Sequence, residues 1–463
     1  MRFTNLLPAN HPALKFAELA FAYQPLRLVK GMASAYIAYP LAELSESRMV
    51  TPKVEELRLH YKKSFSRRLD ISKDRLVDTL LFCKQHVPYY KDLFKSIGFD
   101  PEQVRQDVQY LNALPYLTKE IIREQGERML SQPLAKENCH VCKTGGSTGL
   151  SCVVYYDQEG ADYSSSVTLY SRERVGNTKR KTEVHFACRF PDASQLMWPS
   201  REDYKCFAMN RSNIFFDRID EVGLEEIWQT LIRRRPFMVH AHPSTIYALA
   251  CYIENKYGAS KSFEMFESSG ELLQPYMRET ISRVLGCKIV DRFGLAELGV
   301  VAYEMNANVP KMMVLESEVW PESRALDSGI HELVLTGFRN RLMPLIRYAT
   351  GDNAQIEQTD HGIYLTSVVG RIHDIVPING VAYPTHHIQD MLDHRVGGIQ
   401  EFQVDLRTAP PSLLIVLEPL ADANETSIKI DKFWPNGFAV KFVDHDALVR
   451  VGHRAKFRHV VTA

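Results

Sequence analysis

No charge of either sign predominates in this 463-residue chain: 56 Lys and Arg stand against 56 Asp and Glu, a formal net charge of zero. That balance argues against a bulk electrostatic nucleic-acid binder, which is usually basic. Long apolar runs are missing too. The most apolar early stretch, 32–41, is too short to span a bilayer and contains Pro40. The first ten residues hold a single Arg, and no signal-peptide apolar core follows them. Cysteine is sparse: eight residues, at 83, 139, 142, 152, 188, 206, 251 and 287, none in the last third. Such scatter fits reduced cytoplasmic usage and not a disulfide framework. There is no internal repeat and no low-complexity tract. The expectation is a soluble cytoplasmic protein with no transmembrane segment and no nucleic-acid partner.

What is present is ordinary globular composition, 45% hydrophobic and 24% charged. At roughly 150 residues per domain, the length predicts two or three folding units. Residues 14–69 mix apolar helical spacing with charge and predict two or three helices. A membrane-surface role for 14–44 competes there with a core-packing face, which is preferred because Lys15, Arg27 and Lys30 are few. Residues 74–97 predict one amphipathic helix interrupted near Pro88. Thr118 is a candidate N-cap for a helix over 119–127.

From Cys139 onward the texture alternates. Strand-like runs at 152–156, 183–188, 237–241, 263–267 and 287–292 are separated by helical stretches at 161–175, 223–235, 244–257 and 273–285. That alternation predicts an α/β sheet with crossover helices. Strands at 329–336, 354–358 and 363–366 suggest a meander. The last ninety or so residues predict a small α+β domain, with a helix over 385–394 and strands near 402–406, 412–417 and 439–443.

Five segments carry chemistry. Thr144-Gly145-Gly146-Ser147-Thr148-Gly149 places glycines and hydroxyls where backbone N–H groups can surround phosphate oxygens. It is not a Walker A loop, and alone such a segment is more often an ordinary flexible turn. In Asp291-Arg292-Phe293-Gly294-Leu295-Ala296-Glu297, an aromatic offers stacking to a base and Glu297 an oxygen ligand to a divalent cation. Thr350-Gly351-Asp352 offers a carboxylate to two ribose hydroxyls, although Asp is common in turns. Gly370-Arg371-Ile372-His373-Asp374 and the basic tail Gly452-His453-Arg454-Ala455-Lys456-Phe457 complete the set. Cys139-His140-Val141-Cys142 has half a zinc pattern but no second pair.

In this order the segments resemble those of the adenylate-forming superfamily, and most of all its phenylacetate–CoA ligase-like, or capsule-biosynthesis-ligase-like, branch. Leu114-Pro115-Tyr116-Leu117-Thr118-Lys119, His86-Val87-Pro88-Tyr89-Tyr90 and Ala241-His242-Pro243-Ser244 resemble further hallmarks of that branch. The resemblance runs from about residue 75 to the end. It implies an α/β fold with a helical extension (1–74), a large adenylate-forming domain (75–371) and a small mobile α+β domain (372–463).

The resemblance also implies a chemistry: ATP-dependent activation of a carboxylic acid as an acyl-adenylate, with pyrophosphate released. Acyl transfer to a thiol follows, coenzyme A by default. A carrier-protein phosphopantetheine or an amine is the alternative acceptor, and a non-catalytic nucleotide scaffold the remoter reading. Thr144, Gly145, Gly146, Ser147, Thr148 and Gly149 would hold phosphates. Ser269, Gly270, Glu271, Arg292, Phe293 and Gly294 would border adenine. Asp352 and Arg371 would hold ribose, and Glu297 would hold Mg²⁺. Lys456, with Glu297 and Thr148, would be catalytic, and His373 would mark the hinge. His185, Phe186, His240 and His242 are candidates for the acid pocket; satisfied strand-end histidines are the alternative for His240 and His242. The lysine tail and the phosphate-loop exit Leu150-Ser151 match the pattern loosely.

Overall fold

The computed structural model describes residues 23–134, 139–143, 152–187, 201–216, 218–326, 331–369, 375–444, 447–451, 456–457 and 459–462. The N-terminal helices are α1 Gln24–Ala33, α2 Tyr39–Ser45, α3 Val50–Tyr61, α4 Phe65–His86, α5 Pro88–Ile97, α6 Pro101–Gln106 and α7 Lys119–Gln125. Pro88 does more than interrupt one helix. It begins a new one, α5, at the position where its missing N–H has no partner to lose. Gly98 closes α5 in the left-handed conformation, φ 66°. Thr118 caps α7 by accepting a hydrogen bond from Ile121 N.

Seven further helices follow: α8 Gln158–Arg174, α9 Arg201–Ala208, α10 Glu221–Arg234, α11 Pro243–Tyr257, α12 Pro275–Leu285, α13 Thr385–Met391 and α14 Ala423–Phe433. Asp157, Asp220 and Asp422 cap α8, α10 and α14 through backbone N–H groups three residues on.

The strands begin with a hairpin, β1 His140–Lys143 and β2 Val153–Tyr156, whose connection contains the glycine/hydroxyl segment. The main sheet then takes β3 Glu183–Ala187, β4 Arg211–Phe215, β5 Met238–Ala241, β6 Met265–Ser269, β7 Lys288–Leu295 and β8 Gly299–Glu304. It continues with β9 Met312–Val314, β10 Val319–Ala325, β11 His331–Gly337, β12 Tyr348–Gln358 and β13 Ile363–Val369. Its order is β10-β11-β12-β13-β9-β8-β7-β6-β5-β3-β4. The β4-β3-β5-β6-β7 portion is parallel and the rest antiparallel. Helices α9 to α12 are the crossovers of the parallel part, as alternating strand and helix require.

A second hairpin, β14 Ile375–Ile378 and β15 Val381–Pro384, turns on Asn379 and Gly380, both at positive φ. That is the two-residue turn an Asn-Gly pair favours. The remaining strands are β16 Ile399–Asp405, β17 Ser412–Leu417, β18 Ala439–Phe442, β19 Arg450–Val451, β20 Lys456–Phe457 and β21 Val460–Val461. A four-stranded sheet runs β18-β17-β16-β21. Its apolar core is continuous with that beneath α10–α12, so the C-terminal residues press directly on the crossover side of the main sheet. Among the described residues, no helix is long and apolar enough to cross a membrane.

Candidate active site

Three of the sequence-predicted segments meet at the carboxyl ends of adjacent parallel strands. Strand β5 runs into His242-Pro243, β6 into Gly270-Glu271, and β7 carries Arg292, Phe293 and Gly294. Open α/β sheets bind ligands at such strand ends. Gly270 adopts φ +85°, and a Cβ there would collide with the His242 imidazole. Only glycine meets both demands. Glu271 Oε2 accepts a hydrogen bond from Ser244 N at 3.1 Å, at the start of α11. The His-Pro-Ser and Ser-Gly-Glu segments are therefore one structure. Gly294 sits at a bulge between β7 and β8, where a Cβ would press on the Gly299 carbonyl oxygen. Phe293 packs among the half-buried apolar side chains of the antiparallel strands.

Glu297, just beyond β7, is buried. Its Oε1 accepts the Tyr348 hydroxyl at 2.7 Å and lies 3.7 Å from Lys119 Nζ, also buried. The backbone explains the meeting. Leu117 N donates to Arg347 O at 3.0 Å and Ala349 N to Leu117 O at 2.9 Å, stitching the Leu-Thr-Lys segment beside β12. Four residues past Tyr348 on β12 comes Asp352, buried, its backbone N–H donated to Thr350 Oγ1 at 3.1 Å. The β1–β2 hairpin reaches the same place: Tyr156 Oη donates to Ala296 O at 2.9 Å. Burial and the Glu297 carboxylate together push the Cys142 thiol up from its ordinary value. A cleft lined in part by Tyr156, Gly160, Ser164, Arg339 and Asn340 opens beside Glu297.

On the sheet itself, Arg172 of α8 bridges two buried carboxylates. Its Nη1 donates to Glu183 at 3.1 Å, and its Nε and Nη2 to Glu267 at 2.5 to 3.1 Å. Tyr303 Oη donates to Glu267 Oε1 at 2.7 Å. His185 Nε2 lies 3.2 Å from Glu183, and His240 Nδ1 lies 2.8 Å from Glu267. The two rings are 4.7 Å apart. Burial alone would raise Glu183, but Arg172 and His185 hold it at about 2. Burial drives His240 down to about 3 despite Glu267. Arg292 Nη1, 3.9 Å from Glu267 Oε2, supplies the second positive charge, so the network is charge-balanced with neutral imidazoles at its edge.

No family model matches the chain. Among curated proteins it is similar to Protein CapK of Staphylococcus aureus, 22% identical over 319 residues, 66% of this chain and 68% of that protein. It is similar also to phenylacetate-coenzyme A ligase of Escherichia coli (strain K12), 24% identical over 322 residues, 66% of this chain and 72% of that protein. The chain is thus similar to proteins of the phenylacetate–CoA ligase-like branch of the adenylate-forming superfamily. Its fold agrees with a solved 2-hydroxyisobutyryl-CoA ligase in complex with 2-HIB-AMP and CoA, at TM-score 0.57 and 17% identity over 87% of this chain and 91% of that one.

Against that family pattern, Ser269, Gly270, Glu271, Arg292, Phe293 and Gly294 lie together at the strand ends, and Tyr348 ties Glu297 to the strand of Asp352. The four acid-pocket candidates divide. His185 and His240 belong to the ionic network, while strand alternation sends Phe186 to the opposite face, against Phe216. His242 Nε2 approaches Asp390 Oδ2 of α13 at 3.7 Å. Thr144 to Gly149, Thr148 included, lie outside the described residues, as do Arg371 and His373. Lys456 contributes backbone to β20; its side chain lies outside the described residues. Sequence reasoning quoted Lys119 within a longer segment and gave neither it nor Tyr348 a role. It passed over Arg172, whose one local signal is a charge among the buried residues Val167, Leu169, Tyr170 and Ser171 of α8.

Proposed function

We propose that this chain is an AMP-forming acid–thiol ligase. A carboxylate oxygen of the substrate acid attacks the α-phosphorus of ATP, the bond from that phosphorus to the bridging oxygen breaks, and pyrophosphate leaves. The coenzyme A sulfur then attacks the acyl carbonyl, losing its proton, and AMP departs. The observation that supports this most is the convergence at Glu297: the hairpin around the glycine/hydroxyl segment, the Lys119 segment and the β12 strand of Asp352 all reach it.

In this reading residues 75–371 form the nucleotide lobe and 372–463 the mobile lobe. Thr144–Gly149 hold phosphates, with Thr148 among the catalytic residues. The Gly270–Glu271 turn and Phe293 flank the base, and Asp352 with Arg371 hold the ribose. Tyr348 and Lys119 both address Glu297 Oε1 and so fix the carboxylate that would serve a divalent cation. Glu297 would hold Mg²⁺, which when bound neutralises phosphate charge. Lys456 adds an ammonium between carboxylate and α-phosphate, where fixed charge is most effective once water is excluded. The acid lies near Phe186 and His242, beside α13, with His185 and His240 behind. The scattered cysteines suit the cytoplasm.

The test is acid-dependent ATP–pyrophosphate exchange across aryl, fatty and amino acids, followed by product analysis with coenzyme A, a carrier protein and an amine. Acid-dependent exchange with thioester formation is expected. Lack of exchange with every acid, alongside lack of Mg·ATP binding by calorimetry, rejects the reading.

A further inference from the structure

Among the described residues, the first helices leave a long apolar face exposed. Between α1 and α2 lies a five-residue π-helical turn, Ser34–Ala38, so 24–45 runs as one interrupted rod. Leu28 is 66% exposed, and Val29 and Met32 are exposed beside it. Past the turn, Ile37, Leu41 and Leu44 are 61%, 59% and 76% exposed. At about 100° per residue, an unbroken α-helix would put these two groups on opposite sides. The π-turn accommodates one extra residue and sets the phase back by about 100°. All six then fall within an arc of about 120°. Gly31, Ser34 and Tyr39, on the other side, are buried. The irregular turn is what makes the exposed side uniformly apolar.

The protein beneath that rod is basic. Glycine at 31 lets the rod lie directly on the Arg180 carbonyl. Arg27 Nη2 donates to Arg234 O at 3.0 Å, and Lys179 Nζ stands 3.4 Å from the Tyr39 ring centroid. The rod is thus flanked by two turns, Lys-Arg-Lys at 179–181 and Arg-Arg-Arg at 233–235, with Arg180, Lys181, Arg233 and Arg235 exposed. No acidic residue occurs in 24–42. Glu43 accepts a hydrogen bond from Thr51 N, and Glu46 is held by Arg201. Lys30 is pushed down to about 8, first by burial and then by Arg234 and Arg27. Glu202 of α9, the helix packed against 34–45, is held by Arg211, so a chain of zero net charge has gathered an excess of Lys and Arg around an apolar stripe.

We propose that this face docks on an anionic lipid bilayer, with the 28–44 stripe sunk into the headgroup–acyl boundary and the two basic segments against the headgroups. An amphipathic helix flanked by Lys and Arg matches both parts of such a surface. A second copy of the chain would present the same basic turns and meet repulsion. The docking stands apart from the ligase reading and does not depend on it.

The test is co-sedimentation of the full chain with phosphatidylcholine vesicles, with and without phosphatidylglycerol, over a range of salt. Binding is expected only to the anionic vesicles, weakening as salt rises. Leu28→Ser, Ile37→Ser and Leu41→Ser combined should weaken it on the order of a hundredfold. Arg180→Ser with Arg233→Ser should weaken binding and flatten its salt dependence. Melting temperature should be unchanged in both variants. Equal binding of wild type and the triple variant overturns the proposal, as does absence of vesicle binding. A dimer that the triple variant dissociates, without lipid binding, assigns the face to self-association and also overturns it.

Discussion

Lys119 Nζ and Glu297 Oε1 lie 3.7 Å apart, both buried, on segments that no local pattern connects. Removing one partner leaves a charge in a poorly solvated place, which costs about 3–5 kcal/mol. Lys119→Met should therefore destabilise the fold by roughly 3 kcal/mol in urea unfolding. Adding Glu297→Gln should recover part of that loss, because the orphaned charge is gone. Strict additivity in this cycle would show that the two groups do not interact. Tyr348→Phe, deleting a hydrogen bond to the same carboxylate, should cost about 1.5–3 kcal/mol.

Gly270→Ala probes the strand-end turn. The backbone at φ +85° disfavours a side chain, and the new methyl meets the His242 ring. We expect a loss of at least about 1 kcal/mol from the conformation alone. If the turn borders adenine, KM for ATP rises as well. A stable variant with unchanged KM would remove this turn from the nucleotide site.

The β/α alternation was legible because buried parallel strands and amphipathic crossovers differ in period, and each of the three strand–helix units expected between 183 and 285 has its counterpart. Short elements were not legible: β9, three residues long, has no periodicity to read, and the mostly polar α14 shows little apolar stripe. The site was readable where chemistry and conformation coincide in one segment, as at Ser269-Gly270-Glu271. It was unreadable where partners are remote. Arg172 and Glu267 are separated by 95 residues, and their pairing depends on α8 covering β6, which a sequence alone does not place.

Asp291 introduces a pH dependence. Burial first, then the Glu304 carboxylate, raises it to about 7 from its ordinary 3.8. A carboxyl raised by folding binds its proton more tightly in the native state, so stability is greatest below about 4 and falls as pH rises toward 7. Above that, the full penalty of roughly 4 kcal/mol remains. Asp291→Asn should flatten this fall and be the more stable protein at pH 8. Parallel unfolding curves for both proteins from pH 5 to 8 would contradict the assignment.

His242 and Asp390 form the last test, because they link the β5 strand end to α13 across a 3.7 Å gap. Burial would raise the Asp390 carboxyl, but His242, His394 and His387 hold it below its usual value. If 372–463 moves between adenylate formation and acyl transfer, this contact belongs to one arrangement and is lost in another. Asp390→Asn keeps the shape and removes the charge. It should alter the rate of thioester formation several-fold and leave ATP–pyrophosphate exchange unchanged. Because the residue serves position and not bond making, loss of both activities to the same degree would place Asp390 in general packing instead, and a changed exchange rate alone would put the contact in the adenylating arrangement.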